Sequence, residues 1–358
     1  MAADNGLHSY AISDLIEMQK GLYSSVNQPN IIVFIDHISS YKNGNVEYLQ
    51  IKPSNSDIVA AKVLKTYPDM DSGSGETLLY FLNWAYPKYK SEKNLLLLWS
   101  HGDGWIDFPN SIFGIGHDAS SGSMIGVSTG ELRSVFTRHK KKYDIIILDA
   151  CYAGSLEILS EIQEFGDFIL ATPEEFPSIG YPWTEILMSW EPTQTSIETT
   201  ELFASKFRQA YSVGGVYNEF GITDKRVSVC VYSLSKYQNL FEQIKVFSNQ
   251  YADPKYSQYF TAIRNMTGVL EYNAPYGWID LDLLFFVNKI TELDVQDLVS
   301  ATEDFVINRV TLGAAIEQSI SIFYPRYLEA FVASYENYWH SLQLQNSGWA
   351  RFLNYVYG

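Results

Sequence analysis

Short runs of β-branched residues and leucine alternate along this chain with stretches whose apolar residues recur every three or four positions, the alternation of a sheet covered by helices. The runs Ile31–Asp36, Val46–Ile51, Leu95–Ser100, Ile145–Asp149, Phe168–Thr172, Val227–Ser233 and Ser319–Tyr324 predict strands. Helical spacing marks Ala11–Tyr23, Gly75–Tyr89, Thr129–Lys141 and Leu156–Phe165, so that each strand feeds a helix. Beyond Val227–Ser233 the segments Lys236–Tyr251, Asp280–Lys289, Asp294–Asn308 and Tyr327–Tyr335 read as helices with little strand signal between them. The pattern predicts an α/β core over residues 1–234 and a mainly helical C-terminal subdomain over 235–358, with a returning strand near 319–324. The longest irregular stretch is 106–126, and a loop of that length in a compact domain is a flap or a hairpin, here with Phe113–Ile115 and Met124–Val127 as its arms.

Composition narrows the class. With 46% apolar and 18% charged residues over 358 positions the chain is globular, which excludes disorder, collagen and coiled coil. A net charge of −16 repels phosphate backbones and anionic lipid, so no nucleic-acid partner is expected. No apolar run approaches the roughly 20 residues that span a bilayer, so no transmembrane segment is expected. The opening MAADNGLHSY carries no secretory signal pattern. A surface rich in acid and in Tyr, of which there are 26, leans toward an extracytoplasmic life, secreted, periplasmic or surface-anchored, if a leader has been removed. The two cysteines permit one disulfide at most, and a chain of this size does not need it. Oligomeric state leaves no mark in the pattern.

In open parallel sheets, ligands gather at the carboxyl ends of strands. Two such ends stand out. LLLLWSHGDGW (95–105) delivers His101 into a Gly-rich turn, and DIIILDACYAGSLE (144–157) delivers Asp149 and Cys151 into a turn that opens a helix. A thiol beside a helix N-terminus has its thiolate favoured by the helix dipole, and a histidine at a neighbouring strand end can act as base and acid. A lone Cys or His is more often a structural residue. The pairing at equivalent strand ends, each followed by small residues, favours function, whereas Cys230 in the apolar run VSVCVY reads as core.

His-Gly at one strand end and Asp-Ala-Cys at another, 50 residues later, resemble the pattern shared by caspases, legumains, gingipains and clostripain-like peptidases. MAADN with the helix over Asp14 to Met18, LLLLWSHGDGW, LDACYAGSLE, ATPEEFPSIGYPW, SISIFYP and SGWARFLNYVY resemble clostripain-family segments in the same order along the whole chain. The resemblance implies a caspase-like three-layer α/β/α sandwich with a mostly parallel sheet. It also implies a cysteine endopeptidase with Cys151 as nucleophile, His101 as general acid and base, and the Gly102 and Cys151 N–H groups as oxyanion hole. No metal or other cofactor is needed for that chemistry; calcium dependence occurs in the family, but the acids here lack EF-hand spacing.

The family tends to cut after Arg or Lys, which calls for buried acid in the S1 pocket. Asp149 matches a family position there, its alternative role being a cap on the helix starting near Ala153. The second acidic position of the family falls on Ile179, a departure that Glu174 and Glu175 stand close enough to make good. Self-cleavage after a basic residue in the loop following the His is excluded, because no Lys or Arg lies between Gly102 and Leu132. Activation would fall elsewhere, for example in the Arg138–Lys142 cluster, unless that cluster is only a solvated helix end and the enzyme works as one chain. His117 and Asp118 read as part of a flap, and Trp105 and Trp183 as cleft wall or core. The family has a strand ahead of the MAADN segment, so a sheet edge is expected to lie open or be filled from elsewhere. Two rival readings keep this frame: a catalytically silent scaffold that holds a partner, and a thiol hydrolase acting on an isopeptide or a small acyl compound.

Overall fold

The computed structural model describes residues 1–106, 114–218, 227–264, 271–272, 280–290, 292–313, 317–325 and 342–357. Helix α1 (His8–Ser24) precedes a meander of β1 (Ile32–Asp36), β2 (Val46–Ile51) and β3 (Ala61–Tyr67). Then follow α2 (Gly75–Ala85), β4 (Leu95–Trp99), the hairpin β5 (Gly114–Asp118) and β6 (Ser123–Gly126), α3 (Glu131–His139), β7 (Tyr143–Asp149), α4 (Leu156–Ile162) and β8 (Gly166–Ala171). Helices α5 (Trp183–Ser189) and α6 (Ser196–Tyr211) lead to β9 (Val227–Ser233) and α7 (Tyr237–Tyr251). Among the described residues beyond these lie α8 (Ser257–Arg264), β10 (Glu271–Tyr272), β11 (Asp280–Asp282), α9 (Leu283–Lys289), α10 (Gln296–Phe305), β12 (Val306–Leu312), β13 (Ser321–Phe323) and a C-terminal helix, Trp349–Tyr357.

The main sheet has the order β12-β9-β8-β7-β4. It is parallel across β4, β7 and β8 and antiparallel from β8 to β9 and β12, so only the half that carries the two special strand ends has the expected parallel pairing. Side chains alternate across it as the strand period requires. Leu96, Leu98, Ile146, Leu148 and Ile169 join the apolar layer under α3, α4, α7 and α10, while Trp99, Ile145, Ile147, Leu170 and Val231 join the layer under α1, α5 and α6. Three layers result. Among the described residues after 235, β12 extends the main sheet, and Phe247, Phe305, Phe352 and Leu353 share one apolar cluster with Ile146 and Leu148.

Four local departures have visible causes. The region after Asp294 is helical only to Phe305, where the β-branched alternation of VINRVTL takes over and pairs with β9. Asp280–Asp282 is a strand, and Asp282 caps the helix that follows by accepting the Phe285 N–H at 2.9 Å. Strand β3, half exposed with AKVLKTY, has too little apolar alternation to stand out, and with β1 and β2 it makes an antiparallel meander without intervening helices. Helix α6 was hidden in a polar stretch, but a capping box of Thr195 and Glu198 starts it. The irregular 106–126 stretch does hold a hairpin; Phe113 and the helix expected over 327–335 lie outside the described residues. Among the described residues no helix is long and apolar enough to cross a membrane.

Met1 and Ala2 run between β1 and β4. The Ala2 N–H donates to the Trp99 carbonyl (3.1 Å), the Asp36 N–H donates to the Met1 carbonyl (3.2 Å), and the Met1 ammonium donates to the Phe34 carbonyl (2.9 Å). Two residues thus tie the meander to the edge of the main sheet, beside an apolar slot lined by Phe34, Leu96, Leu98 and Ile115.

Candidate active site

Parallel pairing of β4 with β7 sets Trp99 opposite Asp149, and the Ser100 N–H continues the ladder to the Asp149 carbonyl at 3.2 Å. His101 and Cys151 each follow two residues beyond that pair, on adjoining loops at one end of the sheet. Gly102 bridges to Ile115 of the hairpin, flanked by hydrogen bonds from Asp103 N–H to the Gly114 carbonyl and from Gly116 N–H to the His101 carbonyl, both 3.1 Å. A β-carbon on Gly102 would stand 2.5 Å from the Cys151 carbonyl oxygen and 2.9 Å from the Ala150 β-carbon. The two loops therefore touch backbone to backbone, and only glycine permits it. Neither the Gly102 nor the Cys151 amide donates to a backbone carbonyl among the described residues.

The half-buried Cys151 Sγ accepts the Phe176 N–H at 3.2 Å and lies 3.8 Å from the Phe176 carbonyl. Burial pushes the thiol up to about 11; the Phe176 N–H pulls the other way, and the acids Glu175, Asp103 and Asp149 add to the rise. The helix dipole does not rescue the thiolate, contrary to the sequence expectation. Helix α4 begins only at Leu156, with Ser155 Oγ accepting the Ile158 N–H as its cap, four residues past the sulfur. His101 is lowered from its ordinary range, chiefly by burial and then by His117, whose ring centroid is 5.8 Å away, with Asp103 opposing. Thiol and imidazole are thus both neutral at rest. Tyr152, next after the cysteine, adopts φ 54°, a left-handed conformation that costs a non-glycine residue about 1–2 kcal/mol. Its N–H donates to the Glu174 carbonyl (2.8 Å) and its hydroxyl to Glu175 (3.2 Å), which fixes the turn.

The acids separate into two groups. Asp149 is 5% exposed, its Oδ2 has no hydrogen bond among the described residues, and burial pushes it up to about 8. It caps no helix, since Ser155 does that. Glu174 is buried, with its N–H donating to Thr172 Oγ1 at 3.2 Å, whereas Glu175 points to the exposed surface. Ile179 is half-buried and packs into the same apolar layer as Phe176 and Tyr181, bringing no charge. Two acids were missed. Asp14 and Glu17 of α1 come to the same side of the sheet: Asp14 is 1% exposed and raised well above the carboxylate range by burial, then by Asp149 and Glu17. Glu17 accepts the Tyr217 hydroxyl (2.8 Å) and the Trp183 N–H (3.0 Å) and sits at about 7, mainly through burial. The signal for Asp14 was present in the sequence as a carboxylate inside the apolar stripe Ala11, Leu15, Met18, Leu22.

The remaining candidates are structural. Trp105 packs edge-on to Phe323, and Trp183 packs against Tyr181 and Phe203; both are buried. Asp118 accepts N–H groups of Ser72 (2.8 Å) and Ser121 (2.9 Å) and so pins the hairpin against the loop before α2. Arg138 pairs with Glu76, and Lys140 closes α3 in a left-handed cap. Cys230 is wholly buried in β9, and both thiols are free. Among the described residues no three His, Cys, Asp or Glu side chains gather where they would hold a metal ion.

The profile of the clostripain family of peptidases matches residues 1–347. No curated protein matches the chain. Among solved structures, the chain is similar to a secreted C11 cysteine protease from Bacteroides thetaiotaomicron in complex with an irreversible peptide inhibitor. The TM-score is 0.73 at 20% identity, over 98% of this chain and 97% of the other. It is also similar to an inactive zymogen C11 protease from Parabacteroides distasonis, with a TM-score of 0.69 at 20% identity over 97% and 95% of the two chains. The fold they share is the caspase-like sandwich described above.

Proposed function

This chain belongs to the clostripain family of cysteine peptidases, enzymes that hydrolyse peptide bonds, and within it we propose an endopeptidase working through a Cys151/His101 dyad. Because both groups are neutral at rest, His101 acts first as base: it takes the thiol proton as Cys151 Sγ attacks the scissile carbonyl. The oxyanion that forms is met by the Gly102 and Cys151 N–H groups. Protonated His101 then gives its proton to the leaving amine, which departs and leaves a thioester. Water, deprotonated by His101, adds to the thioester, and the carboxylate product and the free thiol are restored. No step calls for a metal.

Buried Asp149 reads a basic Arg or Lys side chain at P1, with Ile179 and the Glu174–Glu175 turn as neighbouring wall. The likeness to a secreted, inhibitor-bound bacterial protease supports an extracytoplasmic, bacterial peptidase acting on peptides. The observation that supports the proposal is the register: Trp99 pairs with Asp149, so His101 and Cys151 each follow two residues on in adjoining loops, with the Gly102 backbone against that of Cys151.

The test is covalent labelling with a basic acyloxymethyl ketone, located by mass. Label on Cys151 and not on Cys230, lost in His101→Ala, supports the dyad. Equal labelling of both thiols overturns it. A P1-diverse fluorogenic library then tests the pocket: an Arg or Lys preference that survives Asp149→Ala removes Asp149 from S1.

A further inference from the structure

We propose that Asp14, on α1, is a second acid of the P1 pocket and that the cationic head of the substrate lies between it and Asp149. The inference rests on the reading of Asp149 as the pocket acid and extends it to a residue from a different element.

Asp14 occupies a position that folding alone would fill with an apolar side chain. Its neighbours on the helix face, Ala11, Leu15, Met18 and Leu22, are all buried in the layer beneath the sheet. A carboxylate there, 1% exposed, is costly unless something answers it. Among the described residues no cation does: the Trp99 side chain hydrogen-bonds Asp14, and its charged neighbours are the acids Asp149 and Glu17. Among the described residues no Lys, Arg or His forms an ion pair with Asp14 or Asp149, and Oδ2 of each lacks a hydrogen bond. By contrast Glu17, one turn on, is held by the Tyr217 hydroxyl and the Trp183 N–H.

The two carboxyls, each with an Oδ2 that has no hydrogen bond among the described residues, converge on one point. A β-carbon on Gly180 would lie 3.3 Å from Asp149 Oδ2 and 3.7 and 3.9 Å from the two oxygens of Asp14. Glycine leaves that point open, at φ +69°, and its carbonyl is anchored by the Tyr211 hydroxyl at 2.7 Å. Two acceptors approaching one spot from separate elements suit a multidentate cation, a guanidinium or an ammonium on a long stem, better than any neutral side chain. Asp149 stands two residues before the nucleophile, so a stem that starts at P1 leads there. Ile179 brings no acid to the pocket; Asp14 supplies it from α1. Burial, to which repulsion from Asp149 adds at Asp14, keeps the pair protonated, so an arriving cation displaces a proton to solvent.

The experiment uses the full chain and two peptides identical except for P1, arginine or its neutral isostere citrulline. In turnover, the Arg-to-citrulline ratio of kcat/KM falls at least tenfold in Asp14→Asn, chiefly through KM, and Asp14→Glu recovers part of it. In calorimetry with the Cys151→Ala protein in two buffers of different ionisation enthalpy, binding of the Arg peptide near pH 7 releases a proton. Adding Asp14→Asn reduces that release, a change that a purely structural role would not produce. An Arg-to-citrulline ratio within twofold of wild type in Asp14→Asn, or no Arg-over-citrulline preference in binding to Cys151→Ala, overturns the assignment. If Cys151→Ala binds the Arg peptide with the stated Asp14 dependence while the wild type cleaves neither peptide, the pocket stands and the peptidase reading fails. If wild type and Asp14→Asn cleave both peptides with the same ratio, the peptidase reading stands and the pocket assignment fails.

Discussion

Replacing Asp149 with Asn should stabilise the protein, and by an amount that grows with pH. In the unfolded chain this carboxyl releases its proton near 3.8, and in the folded protein, pushed up by burial, at about 8. Between those values the folded state holds a proton that the unfolded state has lost, so stability falls as pH rises, at about 1.4 kcal/mol per pH unit. The contribution is fully present below pH 3.8 and gone once pH has passed 8. From pH 5 to pH 8 the loss is about 4 kcal/mol, and an isosteric amide abolishes it. For a domain of this size that corresponds to a melting-midpoint shift of roughly 5–8 °C. Melting curves of wild type and Asp149→Asn at pH 5, 6.5 and 8 measure it directly: the variant's advantage should widen across the series by about that amount. Two parallel pH profiles would mean that Asp149 is ionised in the fold at neutral pH, and the desolvated pocket argued above would have to be abandoned.

Three other outcomes follow from the same geometry. Gly102→Ala puts a methyl 2.5 Å from the Cys151 carbonyl oxygen and must push the two loops apart, so kcat should drop by about 100-fold or more; turnover near wild type refutes the contact. Alkylation of Cys151 by iodoacetamide should accelerate about tenfold per pH unit and level off only near pH 11, and a plateau at or below pH 8.5 would show a thiol less buried than described. Gly21→Val brings a β-carbon within 2.8 Å of the Leu187 β-carbon and 3.0 Å of the Trp183 carbonyl, so α1 and α5 must separate. A loss of about 1–3 kcal/mol by denaturant titration is expected, and an unchanged midpoint would contradict the packing.

Strand ends were legible in the sequence wherever burial on both faces leaves a nearly continuous apolar run. LLLLW and YDIIILD announced β4 and β7, and the small residues after them announced the loops at that end of the sheet. Strands β3 and β12 were not legible, because one is half exposed and the other begins where a helix ends, so neither shows an unbroken run. Helices α5 and α6 hid for the opposite reason: their polar faces and the intervening Pro and Thr residues look like loop until Thr195 and Glu198 are seen to cap one of them.

The chemistry divides along a different line. Which strand ends adjoin depends on strand pairing, and that was readable; what charge their residues carry depends on burial, and that was not. From sequence, Cys151 before a helix looks like a favoured thiolate, yet the helix starts only at Leu156 and the Phe176 loop covers the sulfur. Asp149 looks ionised and is not, because it and Asp14 share a desolvated site. His101 looks near its ordinary range and is lowered. Desolvation is the largest cause at each of these four groups, and in each it disfavours the charged form. Cys151, His101, Asp149 and Asp14 are therefore all uncharged at rest. In the proposed dyad, charge separation is created by proton transfer within the bound complex, a condition that no pattern of residue types along the chain could express.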